Sequence, residues 1–305
     1  MAPSAYSRSP AESGDGSLNR GLGGLPHHSM EQDEAEMYGD GGPDGAMLTG
    51  VFPFGARLLP RSPAADGPRP WFVLGAYPSA LHVRWTPPPG LGRPIKALAV
   101  DNEPAPFWDG RDERNRVDAW RSTVGWLDDW GVAESTQRLN GISGRQLEEK
   151  VLRPLGASWS EAWCTDCLDT YYLSEGMRRV IRDVYNPSAA RLGIPSAELP
   201  PHPSSGAIVR GAQVERLGRE LETADPEFVV TLGEAALNAL RAIVGDGPPE
   251  LERSGTYGDP ASVTVRGRPL RWYALIHPGQ RGMAWRQTHE SWIQRTMGFA
   301  GITNR

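Results

Sequence analysis

Trp71-Phe72-Val73-Leu74 runs without a break into Gly75-Ala76-Tyr77-Pro78-Ser79, and this pattern decides the fold because three later stretches repeat it. Trp163-Cys164-Thr165 stops at Asp166. Phe228-Val229-Val230-Thr231-Leu232 stops at Gly233-Glu234, and Tyr273-Ala274-Leu275-Ile276 at His277-Pro278-Gly279-Gln280-Arg281-Gly282. Short runs rich in Val, Ile and aromatics, bounded by Gly and Pro, are expected to be strands buried on both faces. Long helical patterns separate them, so the strands are expected to pair in parallel and to bring their carboxyl ends to one edge. Open α/β sheets build their sites along that edge. Here it would collect Tyr77, Asp166, His277 and Arg281.

Outward from these runs, residues 51–70 read as a Pro-rich lead-in, and Ile95 to Val100 can form a second strand ending at Asp101-Asn102-Glu103-Pro104. The spacing Val117, Trp120, Val124, Leu127 predicts a helix from Arg116 to Trp130 with Gly131 as its stop. Further helices are expected at 144–153, 175–185, 211–224, 234–244 and 284–297, with a hairpin over 261–276. Trp120, Trp126 and Trp130 read as helix core and rim, and Trp285 and Trp292 as packing on one helical face. The alternation of strand and helix predicts an α/β fold, a three-layer α/β/α sandwich around a mainly parallel four-stranded sheet. It would form a single domain over residues 51–305. Residues 1–50, crowded with Gly, Ser, Pro and acid and lacking apolar periodicity, read as a disordered or loosely attached leader.

The charge is unevenly distributed. The net −5 of the chain contains −6 in residues 1–50, whereas residues 253–305 carry eight arginines against Asp259 and Glu290, a local +6. That excess surrounds the His277 loop, and phosphate is the polyanion that would answer it. The start lacks the basic and apolar regions of a secretion signal, and no run has the roughly 18 apolar residues of a membrane helix. The chain has two cysteines, Cys164 and Cys167. They exclude a disulfide framework and cannot complete a zinc or iron–sulfur site unaided, so they read as packing thiols in a reducing cytoplasm. No metal, cofactor or membrane partner is expected, and the chain should act as a monomer. No nucleophile elbow or phosphate-cradling Gly-rich loop is present to suggest a small-molecule hydrolase or nucleotide enzyme.

Taken in order, these features resemble the uracil-DNA glycosylase superfamily over about residues 70–300. Gly75-Ala76-Tyr77-Pro78-Ser79 looks like the family's Gly-x-Asp-Pro-Tyr type loop after the first strand. Asp166 falls where many members place an Asn that reads the base edge. The passage from Pro200 to Gly233 is similar to the Pro-rich loop, helix, Asp-Pro turn and strand–Leu-Gly segment. His277-Pro278-Gly279-Gln280-Arg281 resembles the loop that supplies a catalytic His and probes the minor groove. By contrast His202-Pro203, with no buried strand before it, reads as a mere look-alike. The resemblance implies a uracil-DNA-glycosylase-like fold and a monofunctional DNA glycosylase that flips a base out and cleaves its N-glycosidic bond with water.

The departures from that pattern carry the substrate reading. Tyr77 stands where the family has its water-directing Asp, and a phenol with a pKa near 10 is a poor base at neutral pH. Either another carboxylate, Asp101, Glu103 or Asp166, orients the water, or the mechanism relies mainly on stabilising the leaving group. Ser79 stands for a bulky Tyr that excludes C5 substituents, and Leu98 or Ala99 for the aromatic expected to stack on the base. Both changes enlarge the pocket made by Gly75, Ala76, Tyr77, Pro78, Ser79 and Leu98. Asp166 in place of an amide suits the exocyclic amine of cytosine and, if protonated, could donate to N3. The implied substrate is a C5-modified cytosine, with defence against phage DNA as a context. His277 would hydrogen-bond the base O2. Gly233, Glu234, Pro278, Gly279, Gln280, Arg281 and Arg286 would meet the DNA, Gly75 and Gly233 offering backbone N–H groups. Repair of uracil or another deaminated base, and a catalytically inactive DNA-binding module, are the two alternatives.

Overall fold

The computed structural model describes residues 50–135, 138–203, 208, 211–245, 247–248, 250–279 and 282–303, with side chains to residue 297. The acidic leader expected over residues 1–50 lies outside the described residues but for Gly50, as do Gln280 and Arg281. Among the described residues the strands are β1 (Trp71–Gly75), β2 (Ala80–Thr86), β3 (Ile95–Asn102), β4 (Val132–Glu134), β5 (Ala162–Asp166), β6 (Phe228–Leu232), β7 (Ala261–Val265) and β8 (Arg268–Leu275). The helices are α1 (Glu113–Val124), α2 (Ile142–Leu147), α3 (Glu175–Val180), α4 (Asn186–Leu192), α5 (Gly211–Ala224), α6 (Glu234–Val244) and α7 (Met283–Thr303). Single π turns, Glu148–Leu152 and Ile181–Tyr185, extend α2 and join α3 to α4.

The four apolar runs lie in one sheet of order β5-β1-β6-β8-β7. The first four strands are parallel and β7 closes the edge antiparallel to β8. The sheet therefore has five strands rather than four, because the 261–276 hairpin donates both of its arms. Successive residues of β1 face opposite layers, as a strand covered on both sides requires. Phe72 and Leu74 pack with Leu217 and Leu221 of α5 and Leu237 and Leu240 of α6. Trp71 and Val73 pack with Leu147 of α2, Val151, Leu152 and Trp292 of α7. Helices thus cover both faces, and each fully buried Leu or Phe contributes about 1.5–3 kcal/mol relative to exposure.

The Ile95 strand forms as expected, within a second sheet. It does not join the parallel sheet; β3 and β4 flank β2 antiparallel in a separate three-stranded sheet. The physical reason lies in β2, where Leu81, Val83 and Trp85 are buried while His82 is half-buried and Arg84 and Thr86 are exposed. That alternation makes a sheet with one apolar face, which antiparallel neighbours suit and a doubly covered parallel sheet does not. Leu98 is completely buried in the core of this second sheet.

The Pro-rich lead-in also does more than connect. Phe52, Phe54, Ala56 and Leu58 alternate into the second core, where Phe54 is ringed by Trp85, Trp120, Trp126, Trp130 and Tyr185. The helix before Trp126 ends earlier than Gly131. Gly125 adopts the left-handed conformation (φ 64°, ψ 47°), and its N–H caps Arg121 and Ser122 carbonyls. Gly131 instead lets the backbone approach Thr86 of β2 where a Cβ would clash.

Candidate functional site

The parallel register sets Gly75 beside Asp166 and Leu232 beside Leu275, so the loops that follow β1, β5, β6 and β8 emerge at one edge of the sheet. There Ala76, Tyr77, Pro78, Ser79, Asp166, Gly233, Glu234 and His277 line a single cavity of about 460 Å³. Glu103, from the end of β3, completes the polar wall. Residues more than 200 positions apart thus converge, and the three side chains Tyr77, Asp166 and His277 share one space.

The two carboxyl groups of this cavity are unusual. Asp166 is 5% exposed and Glu103 4%. Burial pushes Glu103 up to about 8, reinforced by the charge of Asp166 and opposed by the Ser79 N–H that donates to its Oε1 at 2.7 Å. Burial pushes Asp166 up to about 7, with Arg216 pulling down and Glu220 pushing up. Arg216 does not reach the carboxylate by a hydrogen bond; its Nη2 donates to the Asp166 and Cys167 carbonyls at 2.6 and 2.9 Å and so clamps the end of β5. Gly75 has a different role from the one read in the sequence. It does not line the cavity, but a Cβ there would collide with the Asp166 carboxylate and the Phe107 ring. Its bareness lets those groups close in.

Neutral imidazole is fixed at His277. Its Nδ1 accepts the Gly279 N–H at 3.0 Å, which leaves the proton on Nε2, and burial lowers its pKa. The Gly279 N–H is therefore committed to the imidazole rather than available to DNA. The Gly233 N–H is likewise taken, by the Leu275 carbonyl at 2.7 Å, while its φ of 92° is one that only glycine adopts readily. Behind this loop a buried chain of bonds holds the end of β8. The Ile276 N–H donates to Tyr257 Oη, Tyr257 Oη lies 2.8 Å from His289 Nδ1, and His289 Nε2 lies 3.0 Å from the Lys150 carbonyl.

Of the remaining expectations, Asp101 is not brought to the cavity. Its carboxylate bonds the backbone and side-chain amide of Asn102, outside the lining. Leu98 is absent from the lining for the reason given above. The aromatic surface comes instead from Phe107, whose ring lies 6.5 Å from that of His277 at 27° and whose φ of 56° is strained for a bulky residue. Tyr77 is half-buried and its pKa is raised by burial and by Asp166, so it lines the cavity as a neutral phenol. His202, set aside in the sequence, packs edge-on against Tyr77 at 4.9 Å. Arg286, Pro278 and Gly279 line a second hollow of about 530 Å³, together with Lys150, Gln146 and Trp108. Ser79, Glu103 and Ser143 line both spaces, so the cavity and the hollow adjoin at Ser79.

Sequence reasoning missed Phe107, Tyr171, Tyr172 and His82, all of which line the cavity. Only His82 left a signal, as the odd residue on the polar side of an alternating strand. Cys164 and Cys167 are buried free thiols, and burial raises both. No helix among the described residues is long and apolar enough to cross a membrane. Comparison of the chain with known protein families and with curated proteins finds no match.

Proposed function

We propose that this chain is a DNA N-glycosylase of the uracil-DNA glycosylase type, acting on a flipped-out cytosine that carries a C5 substituent. The observation that carries the reading is the convergence of Asp166, Glu103 and His277 on one cavity, with Ser79 also bordering a second space. A pyrimidine ring fits the first volume. A C5 substituent would leave it beside Ser79, where a larger side chain would bar the way.

In this reading the C1′–N1 bond breaks with its electron pair moving onto the base, and the His277 Nε2–H donates to O2 as charge develops there. A neutral imidazole suits that task, since it stabilises the anion without losing its proton. Cytosine is a poorer leaving group than uracil, so N3 must gain a proton. Near neutral pH the Glu103–Asp166 pair retains about one proton, because two buried carboxyls resist ionising together. Glu103, with the higher value, holds that proton at rest, so the reactive form is the minor one with the proton on Asp166: Asp166 passes it to N3, and the ionised Glu103 takes one from the water whose oxygen bonds C1′. Tyr77 holds the base without catalysing. Arg286 beside the second hollow meets a DNA phosphate. Destruction of modified phage DNA is a context that would use such chemistry.

The test incubates the protein with duplexes carrying uracil, cytosine or 5-hydroxymethylcytosine and measures abasic sites. Release of the modified cytosine in preference to uracil is the expected result. Preference for uracil removes the cytosine assignment, and DNA binding without any abasic product removes the enzyme. Asp166→Asn restores an amide that can pair with uracil N3–H and O4, so it should raise uracil release and depress release of the modified cytosine.

A further inference from the structure

His82 occupies the same cavity, on the polar side of β2, and its surroundings fix it in the opposite sense to His277. Its Nδ1 lies 2.8 Å from the Ala80 carbonyl, which can only accept, so the proton resides on Nδ1 and Nε2 carries a lone pair. Burial lowers its pKa and keeps the ring neutral. The backbone is held as firmly as the ring. Asn140 Oδ1 accepts the His82 N–H at 2.8 Å, Asn140 Nδ2 donates to the His82 carbonyl at 2.9 Å, and the same amide reaches Glu113 Oε2. Asn140 is 1% exposed and Glu113 4%. Burying an amide and a carboxyl to clamp one histidine is costly and does not serve the apolar core.

We infer that His82 is a specificity-determining residue, accepting an N–H of the bound base through Nε2 while His277 donates to a carbonyl of that base. The cavity then holds one fixed acceptor and one fixed donor, a pair that suits an amino-carbonyl heterocycle. Cytosine satisfies both, N4–H₂ toward His82 and O2 toward His277. Uracil turned the same way sets O4 lone pairs against the Nε2 lone pair, and His82 could relieve this only by giving up its bond to Ala80. The assignment rests on the glycosylase reading for its substrate, and it leaves Asp166 free to serve N3.

Two measurements test it. Long-range ¹⁵N–¹H NMR of the full chain should show an unprotonated Nε2 at His82 and a protonated Nε2 at His277; a protonated His82 Nε2 overturns the inference. Calorimetry with free cytosine and uracil should show a cytosine preference that His82→Leu and His82→Gln each reduce by roughly tenfold, the scale of one buried hydrogen bond. Asn140→Ser, which loosens the clamp but keeps the imidazole, should retain most of the preference. A preference unchanged in both His82 variants, or no preference in the unaltered protein, contradicts the role of His82. Abasic-site formation that persists in either case leaves the glycosylase reading standing, whereas base binding without abasic sites removes only that reading.

Discussion

At the residue scale the central fact is a carboxyl pair whose burial holds a proton at neutral pH. A reaction needing one member protonated and the other ionised should have a bell-shaped pH profile of kcat/KM, with limbs near 7 and 8. Glu103→Gln should abolish one limb and cost at least about 10²-fold in rate, the scale of a lost general base. A profile flat across this range would exclude the pair from the chemistry. Gly75→Ala should displace both Asp166 and Phe107, since the new methyl overlaps both, and activity should fall further than stability. Thermal unfolding beside the abasic-site assay separates the two effects. Asp166 and His277 were legible in the sequence because each directly follows an apolar run, whereas Glu103 was readable only as an alternative to Asp101 in the loop after Val100. Phe107 was not, because it follows two prolines in a loop whose path depends on the second sheet.

At the element scale, the parallel strands were readable from composition alone, since burial on both faces leaves no polar alternation to confuse them. β2 was readable only by pairing it with partners, and without it β3 had no sheet to join. Leu98 was misplaced for that reason. The end of β8 depends on Tyr257, whose hydroxyl accepts the buried Ile276 N–H at 3.0 Å. Tyr257→Phe leaves that donor unpaired and should cost about 1–3 kcal/mol in denaturant-induced unfolding. It should also lower the rate, because Ile276 precedes His277. Full activity in this variant would show that the Tyr257–His289 chain only stabilises the fold.

At the scale of the whole molecule, the same carboxyls make stability depend on pH. Asp166 and Glu103 have folded values of about 7 and 8 against ordinary values of 3.8 and 4.5, so the folded state binds protons more tightly than the unfolded one. Their contribution is fully present below about pH 4 and is lost as the pH rises through 8, by up to about 1.4 kcal/mol per pH unit for each group. Unfolding midpoints between pH 5 and 8 should show this slope, and the double change Asp166→Asn, Glu103→Gln should flatten it. The cavity takes Ser79 and Glu103 from the ends of β2 and β3 in the second sheet, and Asp166, Gly233 and His277 from strand ends of the parallel sheet. The site therefore depends on both sheets at once, which no single motif in the chain could announce. The most direct test of the account is a crystal structure of the His277→Ala variant with a duplex containing 5-hydroxymethylcytosine. The account predicts the modified base extruded into the cavity against Phe107, in contact with Asp166, and its substituent passing Ser79 toward Lys150. A base left stacked in the duplex, or DNA bound away from the strand ends, would contradict it.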